Sequence, residues 1–260
     1  MINCCQPLLL ASGRFFFRVR NALFPMLLLI MVVATRPAQF LGNPELDPIA
    51  VVIGALLLLG GQTLRLIVIG YAYIGRGGKD RKVFANHLVT RGFYSHSRNP
   101  MYVGNYSIVL GFTLIYGSAW GYAFMAPFFA YIYLAITTAE EAFLQDKFGA
   151  SYDEYTRRVN RFIPNLRGLG ASLAEFSYDW RRALVKEYGT ICFALLSLLT
   201  LLAWKIAYVY GYNEHQAAVR YLCAGCIPVL VFYGIVRFLK KTDRLRPARE
   251  EETEQPVARP

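Results

Sequence analysis

The sequence predicts an all-α polytopic membrane bundle of about six transmembrane helices with a cytosolic site. Three observations carry that prediction: long apolar runs, a low charge density, and basic residues that alternate by side. The chain has 260 residues, 55% hydrophobic and 17% charged, against about 25% charged in an average globular chain. Several apolar runs reach the ~20 residues that a helix needs to cross a bilayer. The net charge is +11. In a soluble protein that excess points to nucleic acid; here its distribution is that of membrane topology, and no nucleic-acid partner is expected. Three basic residues lie in the N-terminal segment, six in 76–98, eight between the fourth and fifth runs and seven from Arg237 onward, whereas Arg36, Lys205 and Arg220 fall on the other side. Positive charge stays cytoplasmic, so an even number of crossings with both termini inside is expected. Whether the membrane is a bacterial inner membrane or the endoplasmic reticulum stays open.

Taken in order, the first span is read at 15–34, with Arg14, Arg18 and Arg20 at its N-terminal end. Two apolar patches split by "RFFFRVR", with no small-residue cleavage site following, read as a retained segment rather than a secretory signal. Cys4 and Cys5 precede it, where a thiol is either unmodified or palmitoylated. Residues 36–48 form an outside loop with three prolines. The second span, 49–74, contains Gln62 and Arg65. An arginine inside a span costs at least ~2.5 kcal/mol, so Arg65 either snorkels to the inner edge or faces a site. Residues 75–91 form a basic inside loop. The third span, 101–116, is short and runs through "GSAWGY" into the fourth, 121–139, which predicts a tight hairpin. The fourth continues as a polar helix from Glu140, with Gly149 as its stop.

Beyond the hairpin, "SYDEYTRRVNRFIP" is polar with aromatic insertions. Ser172 followed by Glu175 is a capping box. It predicts an interfacial helix with Leu173, Phe176, Trp180 and Leu184 on one face and Arg181, Arg182 and Lys186 on the other. Spans five and six, 190–210 and 221–239, read as ordinary lipid-facing helices. Cys223 and Cys226 form a lone CxxC in an apolar run with no nearby His, so they read as packing residues rather than zinc ligands. The end of the chain has no apolar period and reads as disordered. The organisation is then 1–48, an N-terminal span and outside loop; 49–165, a core of three spans and a cytosolic segment; 166–186, the interfacial helix; 187–240, a C-terminal pair; and 241–260, a tail.

The chemistry-bearing residues converge on the inside end of the hairpin. Asn99 and Pro100 are a natural cap and first residue for the third span. Capping alone leaves Tyr94, His96, Arg98 and Tyr102 at the same place unexplained. A helix N-terminus beside an arginine suits a carboxylate or phosphate. Glu140 and Glu141, at the inside end of the fourth span, are either a solvated surface or a site for a cation. The hairpin makes those two ends neighbours, so one small site offers both an anion binder and a cation binder. Tyr152, Tyr155, Arg158 and Arg161 follow on the same side, either as an interface segment or as a cover. S-adenosylmethionine has an ammonium and a carboxylate at its aminoacyl end, an adenine that suits aromatics, and a sulfonium that favours a π-face or carboxylate.

"LVTRGFYSHSRNPMYVGN", then "EE", then "FGASYDEYTRRVNRFIP" resembles the isoprenylcysteine carboxyl methyltransferase and phospholipid methyltransferase group of integral membrane enzymes. The resemblance covers residues 55–165. It implies a site for S-adenosylmethionine at the cytosolic helix ends and a lipid or lipidated-cysteine acceptor that enters from the bilayer. By that resemblance Tyr94, Arg98, Asn99, Pro100, Tyr102, Glu140, Glu141, Tyr152 and Tyr155 are expected in the cofactor site. Arg98 and Arg158 match arginines suited to orienting an acceptor carboxylate, and Gln62, Arg65 and Arg158 are expected to meet the substrate. Asn99 stands where the family often has His, and it cannot serve as an acid or base.

An acceptor carboxylate is already ionised at neutral pH, since carboxyl groups titrate near ~4. It needs alignment and desolvation rather than a base, which Asn99 allows, and the arginines favour it. The alternative is a phosphatidylethanolamine-type N-methyltransferase, whose amine must lose a proton to Glu140, Glu141 or water. Two further alternatives are a membrane reductase using NADPH, with "GRGGKDRK" as its phosphate contact, and a non-catalytic membrane protein.

Overall fold

The computed structural model describes residues 6–71, 76–79, 82–85 and 87–245. Cys4, Cys5 and most of the tail lie outside the described residues, as does the end of the second expected span. The helices are α1 (Gln6–Ala34), α2 (Asp47–Tyr71), α3 (Pro100–Tyr116), α4 (Gly121–Phe148, opening with one wide turn), α5 (Ala150–Arg158), α6 (Leu169–Ala174), α7 (Trp180–Gly211, closing with a wide turn) and α8 (Gln216–Lys241). A small antiparallel hairpin, β1 (Arg76–Lys79) and β2 (Lys82–Ala85), stands in the expected inside loop.

Four helices, α2, α4, α7 and α8, are long and apolar enough to cross a membrane. The bent α1 makes a fifth when its halves, Pro7–Arg20 and Pro25–Ala34, are taken together across their 88° angle. Pro25 sits inside the helix at that break, and proline removes a backbone donor and clashes with the preceding turn. The expected third span, α3, has 17 residues, about 26 Å at 1.5 Å per residue, short of the ~30 Å hydrocarbon core. Its end is set by Gly117, which closes the helix at φ 76. The count of six is thereby corrected to four or five by length and composition.

Glycines bind α3 to α2. A Cβ on Gly61 would lie 2.5 Å from the Gly104 carbonyl oxygen, and one on Gly111 would lie 2.5 Å from that of Gly54. Small residues at such positions let membrane helices approach backbone to backbone. The pairing is antiparallel, with Gly54 opposite Gly111 and Gly61 opposite Gly104. At its far end the Ala38 N–H donates to the Tyr116 carbonyl (3.1 Å).

The C-terminal pair differs from its expectation. Lys205 was expected to mark the outside face, yet it lies within α7 with its side chain 2% exposed, 2.6 Å from Asp47 Oδ1. Near the other end of the same two helices, Arg65 grips Glu187 with Nε (2.8 Å) and Nη2 (2.6 Å). Asp47 and Arg65 are 18 residues apart, and so are Glu187 and Lys205, about five turns in each helix. Two buried ion pairs of opposite polarity therefore register α7 antiparallel on α2. Only α8 is an ordinary lipid-facing helix, with 6% of its apolar stretch buried.

Ser172 lies inside α6 rather than capping a longer helix, because its hydroxyl is engaged by His96 Nε2 (3.0 Å). Asp179 caps the next helix instead: its Oδ1 accepts from the Arg182 N–H at 2.9 Å. That helix is α7 itself, which begins at Trp180.

Candidate functional site

Asn99 occupies the cap position of α3 and Pro100 the first turn, as the sequence predicts, but the Asn99 side chain caps nothing. Its Nδ2 donates to Glu141 Oε1 (3.0 Å) and to the Arg161 carbonyl oxygen (3.3 Å). Arg98 Nη1 lies 3.4 Å from Glu141 Oε1, and Arg161 Nε 3.2 Å from Glu141 Oε2. Arg161 also donates from Nη2 to Thr138 Oγ1 (2.6 Å). One carboxylate thus sits among three nitrogen-bearing side chains. Next to it, Tyr102 donates its hydroxyl to Glu140 Oε1 (2.8 Å) and accepts from Arg20 Nη1 (3.1 Å). Arg20 Nη1 is itself 3.5 Å from Glu140 Oε1. Glu140 is buried, and burying a carboxylate is costly without such hydrogen-bonding partners.

The chain after α5 straps this site. The Arg98 N–H donates to the Asn160 carbonyl (2.9 Å) and the Asn165 N–H to the His96 carbonyl (3.0 Å). Ser97 Oγ donates to the Phe162 carbonyl (3.0 Å), and the Tyr155 hydroxyl to the Tyr94 carbonyl (2.7 Å). His96 is buried, its Nδ1 against the Asn165 carbonyl oxygen. Tyr152 and Tyr155 are buried with Val159, Leu144 and Ala85. Outside the spans, the Tyr178 phenol is pushed up chiefly by burial, with Tyr71 and Asp179 adding to the effect.

Arg98, Asn99, Pro100, Tyr102, Glu140 and Glu141 therefore come together, with Tyr94 and Tyr155 bracing them from behind. Arg158 does not join them: its side chain is 72% exposed and paired with Glu154 one turn away. Arg161, three residues on, takes the place beside Glu141. Gln62 and Arg65 belong to a separate buried cluster, where Gln62 Nε2 donates to Glu187 Oε2 (3.1 Å) and Arg65 also reaches Asn105. Sequence reasoning missed Arg20 and Glu187. Arg20 was absorbed into the topological charge of "RFFFRVR". Glu187 was visible as a carboxylate running into an apolar stretch, the same signal that singled out Arg65.

These features define an integral membrane helix bundle with a charged site at one end of its central hairpin. The family model for phospholipid methyltransferase matches residues 49–151. The nickel-cobalt-cadmium resistance protein NccN of Alcaligenes xylosoxydans xylosoxydans is 32% identical over 112 residues, 43% of this chain and 51% of that protein. The cobalt-zinc-cadmium resistance protein CzcN of Cupriavidus metallidurans is 36% identical over 111 residues, 43% of this chain and 50% of that protein. A protein-S-isoprenylcysteine O-methyltransferase of Schizosaccharomyces pombe is 29% identical over 157 residues, 60% of this chain and 61% of that protein. The chain spans about half the length of the first two relatives it matches. No solved structure gives a significant match.

Proposed function

We propose that the protein is an S-adenosylmethionine-dependent membrane methyltransferase that methylates the carboxylate of an isoprenylcysteine-type or other lipid-borne acceptor. The observation that carries this reading is the Glu141 carboxylate held among Arg98, Asn99 and Arg161, beside the Tyr102–Glu140 pair. The donor set fits the cofactor's aminoacyl end. Arg98 Nε is buried with no hydrogen-bond partner among the described residues, and it suits a carboxylate. Glu140 and Glu141 suit an ammonium. Bound there, S-adenosylmethionine supplies an electrophilic methyl group. The chain's own residues align and desolvate: Tyr102 and Asn99 fix the two carboxylates, and the 159–165 strap closes the hairpin end. An ionised carboxylate acceptor requires no proton transfer, which accords with Asn99 at the position where the family that the motif resembles often has His.

The description of the matching family favours a second reading, a phospholipid N-methyltransferase. On that reading Glu140 or Glu141 accepts the amine proton before transfer. The test is methyl transfer from labelled S-adenosylmethionine by the purified protein in lipid, offered a farnesylated cysteine analogue and phosphatidylethanolamine in parallel. Base-labile methyl on the cysteine analogue supports the carboxyl reading. Stable methyl on the lipid amine selects the second. Transfer to neither, with no cofactor binding, overturns both.

A further inference from the structure

We propose that Arg20 is a substrate-binding residue, whose open guanidinium edge takes an oxyanion of the membrane-borne acceptor, a carboxylate or a phosphate. The inference rests on the methyltransferase reading above. Arg20 lies on α1, outside residues 49–151 that match the family, yet it reaches the two residues at the centre of the site. Both of its polar contacts, to Tyr102 and Glu140, use Nη1. A guanidinium carries five N–H donors in a fixed fork, so Nη2 and Nε have no partner among the described residues. The side chain is 33% exposed, which leaves that edge accessible. A guanidinium fork matches carboxylate and phosphate oxygens.

The position is built rather than incidental. The Arg20 guanidinium carbon sits 4.0 Å above the ring centre of buried Phe17, a cation–π contact that restrains it. The helix beneath is fixed to α4. A Cβ on Gly13 would lie 2.1 Å from the Ala135 carbonyl oxygen, and Ser12 Oγ meets the Tyr131 hydroxyl at 3.0 Å. On the same helix Leu8 and Phe15 are exposed and apolar, so this wall of the site faces lipid, the side from which a lipid-borne acceptor arrives. A cation on that wall, already turned toward Glu140, places the acceptor's anionic group next to the carboxylate pair.

The test compares wild type, Arg20→Ala and Arg20→Lys of the full chain in lipid. Binding is read with a farnesylated cysteine analogue as free acid and as its neutral methyl ester. Turnover is read with the acid and with phosphatidylethanolamine. Wild type is expected to bind the acid at least tenfold tighter than the ester. Arg20→Ala is expected to lose that preference with S-adenosylmethionine affinity unchanged, and Arg20→Lys to keep part of it. If the anion is a phosphate, the acceptor KM for phosphatidylethanolamine rises in Arg20→Ala while the acid and ester stay alike. An Arg20→Ala protein that keeps both the acid preference and its acceptor KM overturns the inference. So does one that loses S-adenosylmethionine affinity to the same degree, which reduces Arg20 to holding Glu140. Wild-type protein that prefers neither anion overturns it as well. Absence of both methyl transfer and S-adenosylmethionine binding in wild type overturns the methyltransferase reading instead, and the acid–ester comparison still decides Arg20.

Discussion

Asn99 shows how a residue is diverted from its local role. Its backbone takes the cap position that the Asn-Pro pair predicts, while its side chain crosses to Glu141 and the Arg161 carbonyl. The local code was legible because capping depends on neighbours in sequence. The diversion was not, because Glu141 is 42 residues away and becomes a neighbour only through the hairpin. The same limit explains the choice of arginine. Motif matching selected Arg158, which is exposed and bound to Glu154, whereas the strap turns Arg161 toward Glu141. Arg161 also donates a charge-assisted hydrogen bond to Thr138, and such a bond contributes about 1.5–3 kcal/mol. Arg161→Ala is therefore expected to lower methyl-transfer kcat/KM roughly ten- to hundredfold. Arg158→Ala is expected to leave it within about twofold, since exposed ion pairs contribute about 0–1 kcal/mol. Steady-state kinetics on the two variants in lipid check the contrast.

Among elements, the apolar runs announced themselves, but their mutual contacts did not. Hydropathy is a property of one segment; the Gly54–Gly111 and Gly61–Gly104 contacts are properties of two. Glycine inside a span is common enough that its partner cannot be read from either helix alone. Gly61→Val drives a side chain into the Gly104 carbonyl and is expected to destabilise the protein by about 1–3 kcal/mol, read as a lower thermal midpoint in detergent. The ion pairs between α2 and α7 were half legible. Arg65 stood out as an expensive charge in a span, while Lys205 passed as an outside charge because Asp47, its partner, lay in a loop-like context. Breaking a buried pair leaves an uncompensated charge and costs about 3–5 kcal/mol. Lys205→Met alone is expected to cost that much, and Asp47→Asn with Lys205→Met to recover most of it. Thermal unfolding of the single and double variants measures the difference.

At the scale of the whole molecule, fold class and the site's main carboxylates were readable because both rest on composition and local order. The span count was not, since Pro25 bends α1 and Gly117 ends α3 within runs that hydropathy sees as continuous. The alternating direction of the helices nevertheless keeps Arg20 at the level of Glu140, and sets Lys240 against the Val185 carbonyl near the start of α7. Both ends of the chain are accordingly expected on one side. Tags at the two termini should show equal protease access in inside-out vesicles and equal protection in right-side-out ones. The C-terminal pair, outside the family match, is expected to be required for a stable core, because α7 closes the buried charges of α2.

Glu141, among Arg98, Asn99 and Arg161, is expected to organise a methyl-transfer site. The most direct test is transfer of labelled methyl from S-adenosylmethionine by wild type and Glu141→Gln, each purified in lipid with its thermal midpoint measured alongside. Wild type is expected to transfer methyl to a lipid-borne acceptor, and Glu141→Gln to lose at least tenfold of that activity while staying folded. Equal transfer by the two proteins contradicts this expectation.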